Sequence, residues 1–187
     1  TLVIPNGYYG RILNENIRKK IDEWVSKGNK LILMQNALNT FADANGFGLK
    51  QKEGDKEEKA NLTPFELEER ERISDFTAGS IFKLKTDLTH PLMYGLDHAY
   101  YSLKLSSQTY ELLNDGQNAA YISSAADLKN GFAGSELLKK VGNSLVFGVE
   151  NKGRGAVIYM ADNPLFREFW HSGKLLFSNA VFLVNQR

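Results

Sequence analysis

Three short polar clusters stand out as places where chemistry could occur: Asn6-Gly7-Tyr8-Tyr9, Gln35-Asn36 and Asp162-Asn163. Each directly follows an apolar run of strand character, respectively Leu2-Val3-Ile4, Leu31-Ile32-Leu33-Met34 and Ala156 to Met160. If these runs are parallel strands of one sheet, their carboxyl ends share an edge, where open α/β sheets bind ligands. Asn6, Tyr8, Gln35, Asn36, Asp162 and Asn163 would then converge on a single crevice. These groups donate and accept hydrogen bonds, but none is an activated nucleophile. The same amides could equally cap helices and satisfy loop backbone.

Other chemistry is poorly served. There is no Cys, which removes thiolate ligands, disulfides and a Cys nucleophile together. The three histidines, at 90, 98 and 171, have no metal-ligand spacing, so no metal or other cofactor is expected in this chain. His90, in Thr89-His90-Pro91-Leu92, suits a hydrogen-bonded turn better than a ligand role. A hydrolytic centre built on Asp162 and His90 would lack both nucleophile and metal, and is the least favoured option. Gly46-Phe47-Gly48 and Gly153-Arg154-Gly155 read as turns, since neither completes a dinucleotide fingerprint.

The elements that must position these residues follow from periodicity. Asn14 can cap a helix that buries Ile17, Ile21, Trp24 and Val25 and stops at Lys27-Gly28. A buried strand at 31–34 and a short helix at 37–44 come next. Phe82 and Leu84 alternate with Lys83 and Lys85, and Tyr101, Leu103 and Leu105 alternate with Ser102 and Lys104, so the apolar members are expected to face inward. Segments at 108–113 and 119–123 read as further strands. Leu145 to Met160 reads as a hairpin leading into a buried strand, followed by a short helix at 164–170 and an apolar helix from Leu175 to Val184. The expected class is α/β: a flavodoxin-like, mostly parallel sheet with helices on both faces and an antiparallel hairpin extension. One domain spans 1–187, with a solvated insertion at 49–72, where 14 of 24 residues are charged.

The balance of 23 Lys and Arg against 22 Asp and Glu argues against a nucleic-acid partner. No apolar run approaches the roughly 18 residues of a membrane-spanning helix. The sequence opens at Thr1 within a strand, so an excerpt of something longer is expected.

Longer motifs carry a resemblance. Pro5-Asn6-Gly7, Ser26-Lys27-Gly28-Asn29-Lys30-Leu31-Ile32 and Met34-Gln35-Asn36-Ala37 resemble the core of the class I glutamine amidotransferase-like fold. Gly79-Ser80-Ile81-Phe82, the run Asp87 to Gly95, the run Ala161 to Trp170 and Leu175 to Ala180 resemble the amidotransferase-like C-terminal module of large bacterial zinc carboxypeptidases. The resemblance implies a domain without its own catalysis. Active amidotransferases place a Cys where Gln35 stands, and their His-Pro-Glu falls on Asn163-Pro164-Leu165. All three triad roles are therefore vacant. It also implies a first strand and helix preceding the strand at 2–4, and zinc held only by a separate peptidase domain. The expected function is an accessory one, in packing, dimerisation or substrate presentation. The upstream carboxypeptidase domain, or a second copy, would be the partner, and an extracytoplasmic setting is implied. The alternative is a small-ligand or peptide-binding module using the crevice. Arg167, five residues from Asp162, is expected to be partly buried and hydrogen-bonded to carboxylate or backbone groups.

Overall fold

The computed structural model describes residues 1–54 and 73–184. Among them eight strands form a mixed sheet in the order β1-β2-β8-β7-β5-β3-β4, with β6 paired to β3. Three strands are parallel: β1 (Leu2–Ile4), β2 (Lys30–Met34) and β8 (Gly155–Met160). Leu31 pairs with Leu2 on one side and with Val157 on the other, so the carboxyl ends of these strands lie together as expected. Helix α1 (Glu15–Ser26) connects β1 to β2. The Asn14 side chain caps it by accepting from the Ile17 N–H at 3.1 Å. It ends where Gly28 takes φ +114, a backbone that only glycine adopts freely. Gly155 is required for a different reason: a Cβ there would lie 2.0 Å from the Val25 carbonyl oxygen, where the β7–β8 hairpin presses on the end of α1.

The antiparallel half is larger than a hairpin extension. It comprises β7 (Ser144–Lys152), β5 (Gln117–Ile122), β3 (Gly79–Thr86), β4 (Tyr100–Lys104) and β6 (Leu128–Phe132). Strand β3 serves two ladders. Residues 80–82 pair with β4 on one side and β6 on the other, and its last two pair with β5. Helices α2 (Ser135–Lys140) and α3 (His171–Phe182) follow in the second half of the chain. Two apolar clusters cover the opposite faces of the sheet. One gathers Ile32, Ile158, Phe82, Phe147 and Leu176 under α3, and the other gathers Val25, Leu31, Leu33, Phe41 and Tyr159 under α1.

Several local expectations change. The segment after β2 is a 3-10 helix, Gln35–Thr40, instead of an α-helix to residue 44. Residues 108–113 form no strand beyond a single bridge between Gln51 and Tyr110. That bridge also revises the insertion at 49–72. Leu49 is fully buried, and Lys50 and Lys52 exchange backbone hydrogen bonds with Glu111 and Thr109, so the first residues of the charged run belong to the packed body. Residues 55–72 lie outside the described residues. In β4 the alternation is inverted: Tyr100, Ser102 and Lys104 are buried, whereas Tyr101 is exposed. In β3 the expected pattern holds, with Phe82 and Leu84 inside.

Candidate functional site

The turn after β2 carries backbone strain at one position. Gln35 has φ +48, the left-handed region, which costs a non-glycine residue about 1 kcal/mol. A strand that breaks sharply into a helix through such a residue displays its side chain above the strand ends. Gln35 is displayed at such a turn, and its carboxamide cannot attack a carbonyl as a thiolate does. Beside it, the Asn36 N–H donates to Asn6 Oδ1 at 3.3 Å, which ties the loop after β1 to the loop after β2.

The residues after β8 are committed to structure. Asn163 Oδ1 accepts from the Leu165 N–H at 2.9 Å, and its carbonyl accepts from the Phe166 N–H at 3.3 Å. Leu165 packs against the apolar cluster under α3. Neither residue can relay a proton or orient a base. Arg167 is exposed and left-handed at φ +49, with its guanidinium over the Phe166 ring and not against Asp162. The expected partial burial of Arg167 is therefore not found, because the turn at φ +49 carries its side chain out over Phe166.

Asp162 points the other way, into the protein. It is 2% exposed, accepts from the Ser102 hydroxyl at 2.7 Å and stands 3.9 Å from Lys104 Nζ. Lys104 is 4% exposed and also donates to the Gln108 carbonyl at 2.5 Å. Burial raises the Asp162 carboxyl above its ordinary range, opposed by the Lys104 charge and the Ser102 hydrogen bond. Burial lowers the Lys104 ammonium, opposed chiefly by Asp162. Burial, with the charge of Asp162 second, pushes the hydroxyls of Tyr100 and Tyr110 upward. Ser102 and Lys104 are thus site residues that pattern reading assigned to the outside. The strand offered no signal against that assignment, since Tyr101 and Leu103 are as acceptable inside as Tyr100.

His90 takes no part in this cluster. Its Nδ1 accepts from the Leu92 N–H at 3.0 Å and its Nε2 faces Gln117 Oε1 at 2.8 Å, which makes it a turn histidine. A hydrolytic pairing of Asp162 with His90 therefore has no geometric basis. Among the described residues no three His, Asp or Glu side chains gather as a metal would require, and no helix is long and apolar enough to cross a membrane.

The expected crevice is consequently divided. Tyr8 and Asn36 line an open groove of about 470 Å³ together with Tyr9, Arg18, Asn39 and Asp43. Asn6 braces that groove from beneath Asn36. Asp162 is sealed on its far side, and Tyr110 links the two regions: its hydroxyl donates to Asn39 Oδ1 at 2.6 Å, while its body lies within the field of Asp162. The arrangement can hold a ligand by hydrogen bonds.

Comparison with known proteins places this geometry in a structural class. No described protein family and no curated protein matches the sequence. Solved structures do match in shape. A candidate GMP synthase component from Thermoplasma acidophilum is 11% identical, with 96% of this chain aligned to 70% of that one at a TM-score of 0.54. A candidate ThuA-like protein of Bacteroides uniformis is 15% identical, aligning 96% of this chain with 67% of its own at 0.52. A cytoplasmic protein of Salmonella typhimurium is 11% identical, aligning 99% with 71% at 0.52. At these identities the likeness speaks of fold alone, and the chain has the flavodoxin-like, class I glutamine amidotransferase-like fold.

Proposed function

We propose that this chain is a non-catalytic amidotransferase-like module that serves a zinc metallocarboxypeptidase through packing, dimerisation or substrate presentation. The observation that carries the non-catalytic part is the vacated turn. Gln35 keeps the left-handed geometry at φ +48, while Asn163 is spent on a backbone turn and Leu165 on the core. Among the described residues no donor set gathers for zinc, and in this reading the metal belongs to a separate peptidase domain. The link to such a peptidase rests on the motifs at 79–82, 87–95, 161–170 and 175–180. A packing role is supported by β1, an edge strand whose Leu2 and Val3 are 39% and 36% exposed, because apolar sheet edges recruit other surfaces. The extracytoplasmic setting is part of the same proposal.

The test has two arms. Glutamine hydrolysis by the wild type and by Gln35→Cys should stay at the level of a heat-inactivated control, because the variant restores a thiol but neither base nor orienting acid. Turnover by the wild type would overturn the non-catalytic reading. The longer polypeptide encoded by the gene should bind zinc and release C-terminal residues from peptides. A gene encoding no peptidase domain would overturn the carboxypeptidase link.

A second reading is favoured by the groove at Tyr8 and Asn36: a ligand-binding module that uses the carboxyl ends of β1 and β2. Its polar groups are open, whereas those at Asp162 are sealed.

A further inference from the structure

The groove at Tyr8 does not end at Asp43. A second groove, of about 640 Å³, runs between the first turns of α1 and the loop at 43–46, and the two share Arg18, Asp43 and Ala44. Together they make one trench from Tyr8 past the end of β2 to Gly46. We propose that this trench binds a neutral oligosaccharide, an inference that rests on the ligand-binding reading above and names its ligand class.

Four features of the trench point to that chemistry. First, it presents an aromatic platform. Tyr9 packs against the core with its ring over Gly7, where a Cβ would meet it at 3.0 Å, and the adjacent Tyr8 is left 87% exposed. A flat ring held at the mouth of a groove offers its face to the C–H side of a pyranose. Second, the polar groups are fixed before any ligand arrives. Tyr110 occupies Asn39 Oδ1 and leaves the amide N–H groups to donate. Leu13 O holds Arg18 Nη1 at 2.8 Å, and the Gln51 N–H holds Asp43 Oδ2 at 3.3 Å, so the second guanidinium nitrogen and the second carboxylate oxygen are open. Donors and acceptors fixed in alternation suit vicinal hydroxyls, and fixing them in advance reduces the ordering cost of binding.

Third, the charges along the trench cancel. Arg18 and Lys19 stand against Glu15 and Asp43, and Asp22 is paired with Lys152 at 2.7 Å. Neither a polyanion nor a polycation gains from such a surface. Fourth, the lining contains no aliphatic side chain larger than alanine. A lipid or an apolar peptide side chain would find no pocket, whereas a polyhydroxylated chain needs none.

The experiment uses the intact chain with four probes: maltohexaose, cellohexaose, chitohexaose and hexa-alanine, followed by calorimetry and by amide NMR shifts. One of the three oligosaccharides should bind saturably and shift the backbone amides of Asn36, Asn39 and Asn45. Tyr8→Ala, at an exposed position, should weaken that binding at least about tenfold without changing the melting temperature. Asn39→Asp keeps the acceptor for Tyr110 but removes the amide donors, and should weaken it as well. Binding of hexa-alanine alone at these amides would overturn the oligosaccharide inference and leave the ligand-binding reading standing. No shift from any probe at millimolar concentration would overturn both. Oligosaccharide binding that is indifferent to Tyr8→Ala would place the site elsewhere and overturn the inference.

Discussion

Replacing Lys104 by Met should destabilise the fold by about 4 kcal/mol, and most of that loss should disappear when Asp162 is replaced by Leu in the same chain. The two charges stand 3.9 Å apart at 4% and 2% exposure. At an effective dielectric constant of about 20 their attraction is about 4 kcal/mol, which agrees with the roughly 3 to 5 kcal/mol lost when one partner of a buried pair is removed. Methionine restores the length of the lysine stem, so the loss reports the stranded carboxylate and not a cavity. In the double variant no charge remains, and the residual cost is the acceptor lost to Ser102 and the donor lost to the Gln108 carbonyl, about 0.5 to 1 kcal/mol each. The sign of the pH dependence is a second check. Burial already raises Asp162, and removal of Lys104 raises it further, so the folded state binds its proton more tightly than the unfolded chain. The defect of Lys104→Met should therefore shrink as pH falls toward the ordinary carboxylate value of 3.8 and grow as pH rises through the folded value. Urea titrations of wild type, both single variants and the double variant, read by tryptophan fluorescence, would measure the cycle. A single variant within 1 kcal/mol of wild type, or a double variant as unstable as the sum of the singles, would refute the reasoning.

Gly173→Ala should be among the most damaging conservative changes, at about 3 kcal/mol in thermal or urea unfolding, because its Cβ would lie 1.9 Å from the Pro164 carbonyl oxygen. Arg167→Ala should leave stability within about 0.5 kcal/mol, since the side chain is exposed; a larger loss would reveal a buried role. Although burial works to raise Asp127, the Ser123 hydroxyl and the N–H groups of Ser124 and Ser123, helped by Lys129, hold its carboxyl below the ordinary value. Its contribution is present above pH 3.8 and lost as pH falls through the folded value. Asp127→Asn should thus cost about 1 kcal/mol at neutral pH and progressively less as pH falls below 3.8, measured by urea titration across that range.

Elements with a strong local signature were legible. The cap at Asn14, the runs at 31–34 and 156–160 and the turn at 153–155 carry their structure in neighbouring residues and appear where the pattern puts them, while of the expected apolar face of α1 Val25 is fully buried, Ile21 and Trp24 partly so, and Ile17 joins neither cluster. What escaped depends on distant partners. Tyr100, Ser102 and Lys104 face inward because Asp162, 60 residues from Ser102, waits there to satisfy them. No period-two reading of Tyr-Tyr-Ser-Leu-Lys-Leu can contain that fact. The backbones of Lys50 and Lys52 are tied to the body of the fold, despite their place in a charged run, because residues 109–111 supply a hydrogen-bonding partner. The candidate site divides on the same principle. Asn6 and Asn36 meet because parallel strand ends must meet, whereas Asp162 is held inside by the Ser102 hydroxyl and the Lys104 ammonium.

The mixed sheet also sets an order of assembly. Lys152 pairs with Gly155 across a tight turn, so the β7–β8 hairpin closes a very short loop. By contrast Lys30 must find Ala156, 126 residues further along the chain. Contacts between distant segments form slowly, because the entropy of loop closure is spent before the contact returns any energy. The parallel half, which builds the trench and the vacated turn, cannot close until the antiparallel half has delivered β8. In native-state hydrogen exchange the amides of β1 and of the turn at 35–40 should accordingly open first, with those of β7 and β8 holding to the global unfolding limit. Uniform protection across the sheet would refute that order. The half of the molecule that resembles an enzyme's active centre is thereby the half that forms last and loosens first.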